Sequence, residues 1–138
     1  MLSRLESSVN TSVYVPACLP LSDADYTNKN VWVVGWGRTQ EGGSVSDTLQ
    51  ELEIQAVDDA TCYSVMSGQT FADENICAGG EAGKDGCQGD SGGPLLYNNA
   101  EKWELAGLTS WGIGCARDGL YGIYTEVPCK SYSQKTLI

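Results

Sequence analysis

Ser91 stands in the run Gly86-Cys87-Gln88-Gly89-Asp90-Ser91-Gly92-Gly93-Pro94, a single hydroxyl among four glycines. A serine hydroxyl is a weak nucleophile until a base takes its proton and backbone N–H donors receive the oxyanion formed on attack. Glycines supply half of that arrangement. Without a Cβ, the residues flanking Ser91 can turn tightly and aim N–H groups into a cavity. The plain alternative is a glycine-rich β-turn that happens to hold a serine. The base is the harder requirement. The chain of 138 residues contains no histidine, so it has no imidazole base, ligand or switch of its own.

The elements that must position this turn read as β-structure. Leu52, Ile54 and Ala56 alternate with Glu53 and Gln55, the period-two pattern of a half-buried strand. Short β-rich runs recur at 31–34, 95–97, 105–111 and 122–125. Turn signals separate them at Gly42-Gly43, Gly79-Gly80, Asn98-Asn99 and Asp118-Gly119. Short, closely spaced strands without helical patterning between them predict an all-β fold, a small antiparallel barrel or sandwich. One helical turn is expected at 58–66, with Asp58 or Asp59 as its N-cap. Residues 1–30 differ in character: a short apolar-alternating start, then a connector with Pro16 and Pro20 and a polar loop at 22–30.

Composition sets limits on function. Apolar residues make up 41% of the chain and charged residues 19%, which is a globular balance. The formal net charge of −10 excludes the basic surface that nucleic acid or an anionic membrane requires, so neither is an expected partner. No apolar run is long enough for a membrane-spanning helix, and the N-terminal residues lack a signal-peptide core. Six cysteines at irregular spacings point to disulfides and an oxidising, extracellular compartment. There is no Cys-x-x-Cys pair, and without histidine a Cys₂His₂ zinc site cannot form. No metal or cofactor is expected. Asn10-Thr11-Ser12 is a glycosylation sequon and supports an extracellular setting weakly.

Read with its flanks, the serine segment resembles the nucleophile motif of the chymotrypsin-like (trypsin-type) serine proteases. Val33-Val34-Gly35-Trp36-Gly37-Arg38-Thr39 resembles the family's first strand of the second barrel. Glu74-Asn75-Ile76-Cys77-Ala78-Gly79, Thr109-Ser110-Trp111-Gly112-Ile113-Gly114-Cys115-Ala116 and Gly122-Ile123-Tyr124-Thr125-Glu126-Val127 follow in matching order and spacing. The likeness spans residues 1–129. It implies a six-stranded antiparallel Greek-key barrel over residues 31–138, the second barrel of a two-barrel fold. Residues 1–30 would be an extended arm that crosses to the other barrel.

The resemblance also implies roles. Ser91 would be the nucleophile, and the Gly89 and Ser91 N–H groups the oxyanion hole. Asp90 would be the carboxylate that pairs with a new α-amino terminus on activation. Asp85 would lie at the base of the primary specificity pocket and favour Lys or Arg before the scissile bond. Its plain alternative is a solvated loop acid. Gly112 and Gly122 would leave the pocket walls open, with Gln88 and Gly114 among the residues around the substrate. Ser110-Trp111-Gly112 would hydrogen-bond the substrate backbone as an added strand. Implied disulfides are Cys62–Cys77 and Cys87–Cys115, with Cys18–Cys129 as one option for the remaining pair and a missing upstream partner for Cys18 as the other. Val31 and Tyr97 stand where a third family bridge has its cysteines.

The resemblance further implies that the triad histidine and aspartate belong to a first barrel upstream, the aspartate about two residues before Met1. The chain is therefore expected to be the C-terminal half of a secreted endopeptidase. Its partners would be that missing half, protein or peptide substrates with Lys or Arg, and protease inhibitors. Alone it is expected to be inactive. The alternative is a non-catalytic protease homologue that acts as a binding or regulatory module.

Overall fold

The computed structural model describes residues 4–21, 23–72, 74–100 and 102–127. Leu2, Cys129 and the segment 130–138 lie outside the described residues, and so does the Cys18–Cys129 pairing. Six strands and one short helix follow in the order β1 (Asn30–Gly35), β2 (Gln50–Val57), α1 (Asp59–Val65), β3 (Asn75–Gly79), β4 (Pro94–Asn98), β5 (Trp103–Gly112) and β6 (Tyr121–Glu126). The strands close into an antiparallel barrel with neighbours β1-β2-β3-β6-β5-β4. β4 returns beside β1 after β1, β2 and β3 are laid down in sequence, which is the Greek-key order.

Alternation explains which side chains fill the barrel. Val31 and Val33 point inward from β1 while Trp32, between them, packs edge-on against Trp103 outside. Ile54 and Ala56 point inward from β2, opposite Val31 and Lys29, as the period-two pattern predicts. Leu95 and Ala106 complete the core from β4 and β5, both fully buried. Burying side chains of the size of Leu95 and Val31 contributes about 1.5–3 kcal/mol each.

The expected helical turn forms with Asp58 as its cap. Asp58 accepts from the Thr61 N–H at 2.8 Å and from the Thr61 hydroxyl at 2.7 Å, and these bonds hold its carboxyl below the ordinary range. Seven residues are too few for an independent helix, and α1 is fastened by the Cys62–Cys77 bridge to β3. Cys62, Met66, Cys77 and Ile123 form a second small core outside the barrel wall. The arm is not wholly outside the fold. Cys18 makes a one-residue bridge to Glu104, with Leu105 N–H donating to the Cys18 carbonyl at 2.9 Å. Tyr26 is buried in the barrel core and meets Tyr97 edge-on at 5.4 Å.

Candidate active site

The loop between β3 and β4 carries Ser91 and is shaped by its glycines. Asp90 N–H donates to the Cys87 carbonyl at 3.0 Å and Gly93 N–H to the Asp90 carbonyl at 2.8 Å, two tight turns in succession. Gly89 has φ +103° and lies against Gly37, where a Cβ would come within 3.0 Å of the Gly37 Cα. Two further bonds dock the turn on β5: Gly92 N–H to the Thr109 carbonyl at 2.8 Å and Thr109 N–H to the Gly93 carbonyl at 2.9 Å. Ser91 is left exposed at the rim. The Gly89 and Ser91 N–H groups have no acceptor among the described residues.

Asp90 faces away from the rim, toward the end of β1. Gly37 N–H donates to its Oδ1 at 2.7 Å and Cys87 N–H to its Oδ2 at 3.1 Å. A Cβ on Gly35 or Gly37 would overlap this carboxylate, so the approach depends on those glycines. Among the described residues no cation pairs with Asp90.

A pocket of about 200 Å³ opens beside Ser91. Asp85, Gln88, Ser91, Ser110, Trp111, Gly112, Gly114 and Gly122 all line it, with the Cys87–Cys115 bridge in its wall. Of the sequence-selected residues, Gly89 and Asp90 lie outside that lining, Asp90 on a neighbouring cavity. Asp85 lies close to Gly112 and Gly122. A Cβ on Gly122 would press on the Asp85 carboxylate and the Tyr124 hydroxyl, whereas one on Gly112 would stand 3.9 Å from Asp85. Burial raises the Asp85 pKa, and the Ala116 and Gly86 N–H groups partly offset the rise. The Ala116 N–H donates to Asp85 Oδ2 at 3.2 Å. Burial, followed by the nearby Asp85 charge, raises the Tyr124 phenol.

One edge of β5 is open at the pocket mouth. β4 pairs with β5 only as far as Leu108, and Ser110 falls in the irregularity between Thr109 and Trp111 in the β6 register. Ser110 and Gly112 are exposed there. Trp111 is braced from the other side by Phe71 at 5.7 Å, which in turn lies 4.2 Å from Tyr63 of α1.

The sequence model of the Trypsin family matches residues 1–134. The chain belongs to the trypsin family. Trypsin-1 of Astacus astacus is 49% identical over 113 residues, which are 81% of this chain and 47% of that protein. The chain thus spans about half the length of the curated relative it matches. The trypsin-family barrel expected from the motifs and both expected internal bridges, Cys62–Cys77 and Cys87–Cys115, are present. Cys18 is half-buried and unbridged among the described residues.

Sequence reasoning missed two groups at this trypsin-family site. Tyr124 and Thr109 line the pocket, and because β6 is buried on both faces at 122–124 no alternation marks Tyr124 in the sequence. Glu41 and Arg117 meet beside the pocket from loops 76 residues apart, and no local pattern signals that contact.

Proposed function

We propose that this chain is the substrate-recognition half of a secreted trypsin-like endopeptidase that cleaves after Lys or Arg. The observation that carries the reading is a half-buried carboxylate, Asp85, close to two glycines in a pocket that Ser91 also lines. A Lys or Arg side chain entering between Gly112 and Gly122 would meet Asp85 through charge-assisted hydrogen bonds. The substrate backbone would add to the open edge at Ser110–Gly112. That would set the scissile carbonyl beside Ser91. The hydroxyl oxygen would attack the carbonyl carbon as its proton passes to a base, and the electron pair displaced onto the carbonyl oxygen would be met by the Gly89 and Ser91 N–H groups.

The chain has no histidine to be that base. The nearby carboxylates, Asp85 and Asp90, are committed by this reading to the pocket and to a new α-amino terminus. The base, its orienting aspartate and the amine would come from a partner half. The isolated 138-residue chain is therefore expected to bind basic ligands but not to turn over peptide substrates. The test is a titration with p-aminobenzamidine, an aryl amidinium that fluoresces in an apolar pocket, beside treatment with an aryl organophosphonate. Saturable binding with no rapid labelling of Ser91 is expected. Rapid stoichiometric labelling of Ser91 would falsify the assignment of the base to a partner half.

A further inference from the structure

Residues 36–49, between β1 and β2, fold back on themselves. Arg38 bridges Val45, and Gly43 N–H donates to the Gln40 carbonyl at 3.0 Å, which puts Glu41 at the tip. From there its carboxylate reaches the β5–β6 loop. Arg117 Nε donates to Glu41 Oε2 at 3.0 Å and Arg117 Nη2 to Oε1 at 2.8 Å. Cys115 N–H also donates to Oε2, at 3.3 Å. The fork is bidentate, the geometry in which guanidinium and carboxylate hold each other best. Gly114 makes room for it: with φ +78°, it sits where a Cβ would overlap both the guanidinium and the carboxylate.

Ala116 lies between the two residues Glu41 holds, and its N–H is the one that donates to Asp85 Oδ2. Behind Asp85 is a cavity of about 160 Å³, lined by Gln40, Gly83, Cys115 and Ala116 among others. Open space therefore lies beside the Ala116 backbone. The Cys87–Cys115 bridge anchors Cys115, and the carbonyls of Ala116 and Arg117 accept from the Gly83 and Leu120 N–H groups at 3.0 and 3.1 Å, which leaves the Ala116 N–H side to be fixed by its neighbours in the loop. We propose that Glu41 is a positioning residue for the pocket: by fastening Cys115 and Arg117 it keeps the Ala116 N–H on the Asp85 carboxylate. The proposal rests on the reading of Asp85 as the receiver of a basic side chain. It makes the β1–β2 loop a control point, because anything that engages or displaces Glu41 is felt at Asp85. Both partners are about half exposed, with side chains at 53% and 42%, so the effect falls on loop order and not on global stability.

The test uses the whole chain labelled with ¹⁵N, amide exchange at Ala116, and titration with p-aminobenzamidine. Glu41→Ala and Arg117→Ala are expected to speed Ala116 exchange and weaken probe binding, Glu41→Ala by about three-fold or more, with the double variant no worse than Glu41→Ala. Glu41→Gln, which keeps one acceptor for the Cys115 N–H, should fall between them and wild type. The swap Glu41→Arg with Arg117→Glu should recover the tether to residue 117 but not the Cys115 contact, and so restore binding in part. The melting temperature should stay nearly unchanged across these variants, which a role in global stability would not allow. Unchanged Ala116 exchange in Glu41→Ala overturns the proposal, and so does faster exchange with unchanged probe affinity. A wild-type chain that ignores the probe, or an Asp85→Asn chain that binds it equally well, counts instead against the pocket reading. Ala116 exchange then decides the tether alone.

Discussion

On the proposed reading, Asp85 would serve binding at the expense of folding. Its pKa lies above the ordinary carboxylate value because burial disfavours its charge. The folded chain therefore binds a proton more readily there than the unfolded chain does, and stability falls as pH rises from the unfolded value through the raised folded one. Asp85→Asn removes that penalty while keeping an oxygen for the Ala116 N–H. At neutral pH the variant should unfold at a higher temperature than wild type, and at a pH well below the unfolded value the difference should vanish. Its affinity for p-aminobenzamidine should fall about ten- to a hundred-fold, the loss of a charged hydrogen bond. Thermal melts at both pH values and a fluorescence titration check the two halves. A variant that is less stable at neutral pH and still binds would remove Asp85 from the role given to it. In wild type, probe binding should weaken on acidification at a pH above the ordinary carboxylate value, since only the ionised carboxylate attracts the amidinium.

The elements hold these residues through contacts between segments distant in sequence. Cys62–Cys77 joins α1 to β3 across 15 residues, and a loop of that size is worth about 3 kcal/mol in the chain-entropy picture. Replacing both cysteines with alanine should cost that much in urea unfolding and loosen α1 before the barrel, since α1 packs on the small outer core of Met66 and Ile123 and on Phe71, not on the barrel interior. Gly37→Ala should act on the site instead. A Cβ there meets the Asp90 carboxylate, so the bond from Gly37 N–H must lengthen, at about 1–3 kcal/mol. Loss of stability with an unmoved Asp90 carboxyl resonance would contradict this account. β2 was legible from sequence because Leu52, Ile54 and Ala56 alternate against Glu53 and Gln55, and β1 because Val31-Trp32-Val33-Val34 is an unbroken β-rich run. β3 gave no such pattern. Cys77 faces the helix outside the wall and Ala78 faces the barrel, so Ile76-Cys77-Ala78 is buried on both faces and reads as an uninterrupted apolar run. The α1 start was legible because capping is local chemistry. The turn around Ser91 was legible from its glycines, and the residues gathered around it only from the family's motifs. The Glu41–Arg117 fork was not legible, because two loop tips carry no periodicity.

At the scale of the whole molecule, charge and apolar exposure oppose each other. Residues 5–21 leave much apolar surface in water: Leu5 and Val13 are each 64% exposed, Val15 85%, and Leu19 and Leu21 72%. Trp36, Val45 and Leu49 add exposed apolar side chains on the barrel's β1–β2 connection. Exposed apolar side chains, where they gather into a patch, drive association unless something covers them. The net charge of −10 works against association between copies. Salt decides the balance, because screening shortens the range of repulsion to about 10 Å at 0.1 M and leaves apolar burial intact. The isolated chain should therefore sediment as a monomer at low ionic strength and self-associate as sodium chloride is added. Replacing Val15, Leu19 and Leu21 with serine removes much of the exposed surface without touching the barrel core, so that variant should stay monomeric to higher salt. Its melting temperature should change little, since side chains already in water contribute little to folding. Sedimentation velocity across a salt series, with wild type and the triple variant side by side, reads both effects. Association that weakens with salt would mean that charge, not the apolar arm, brings the copies together.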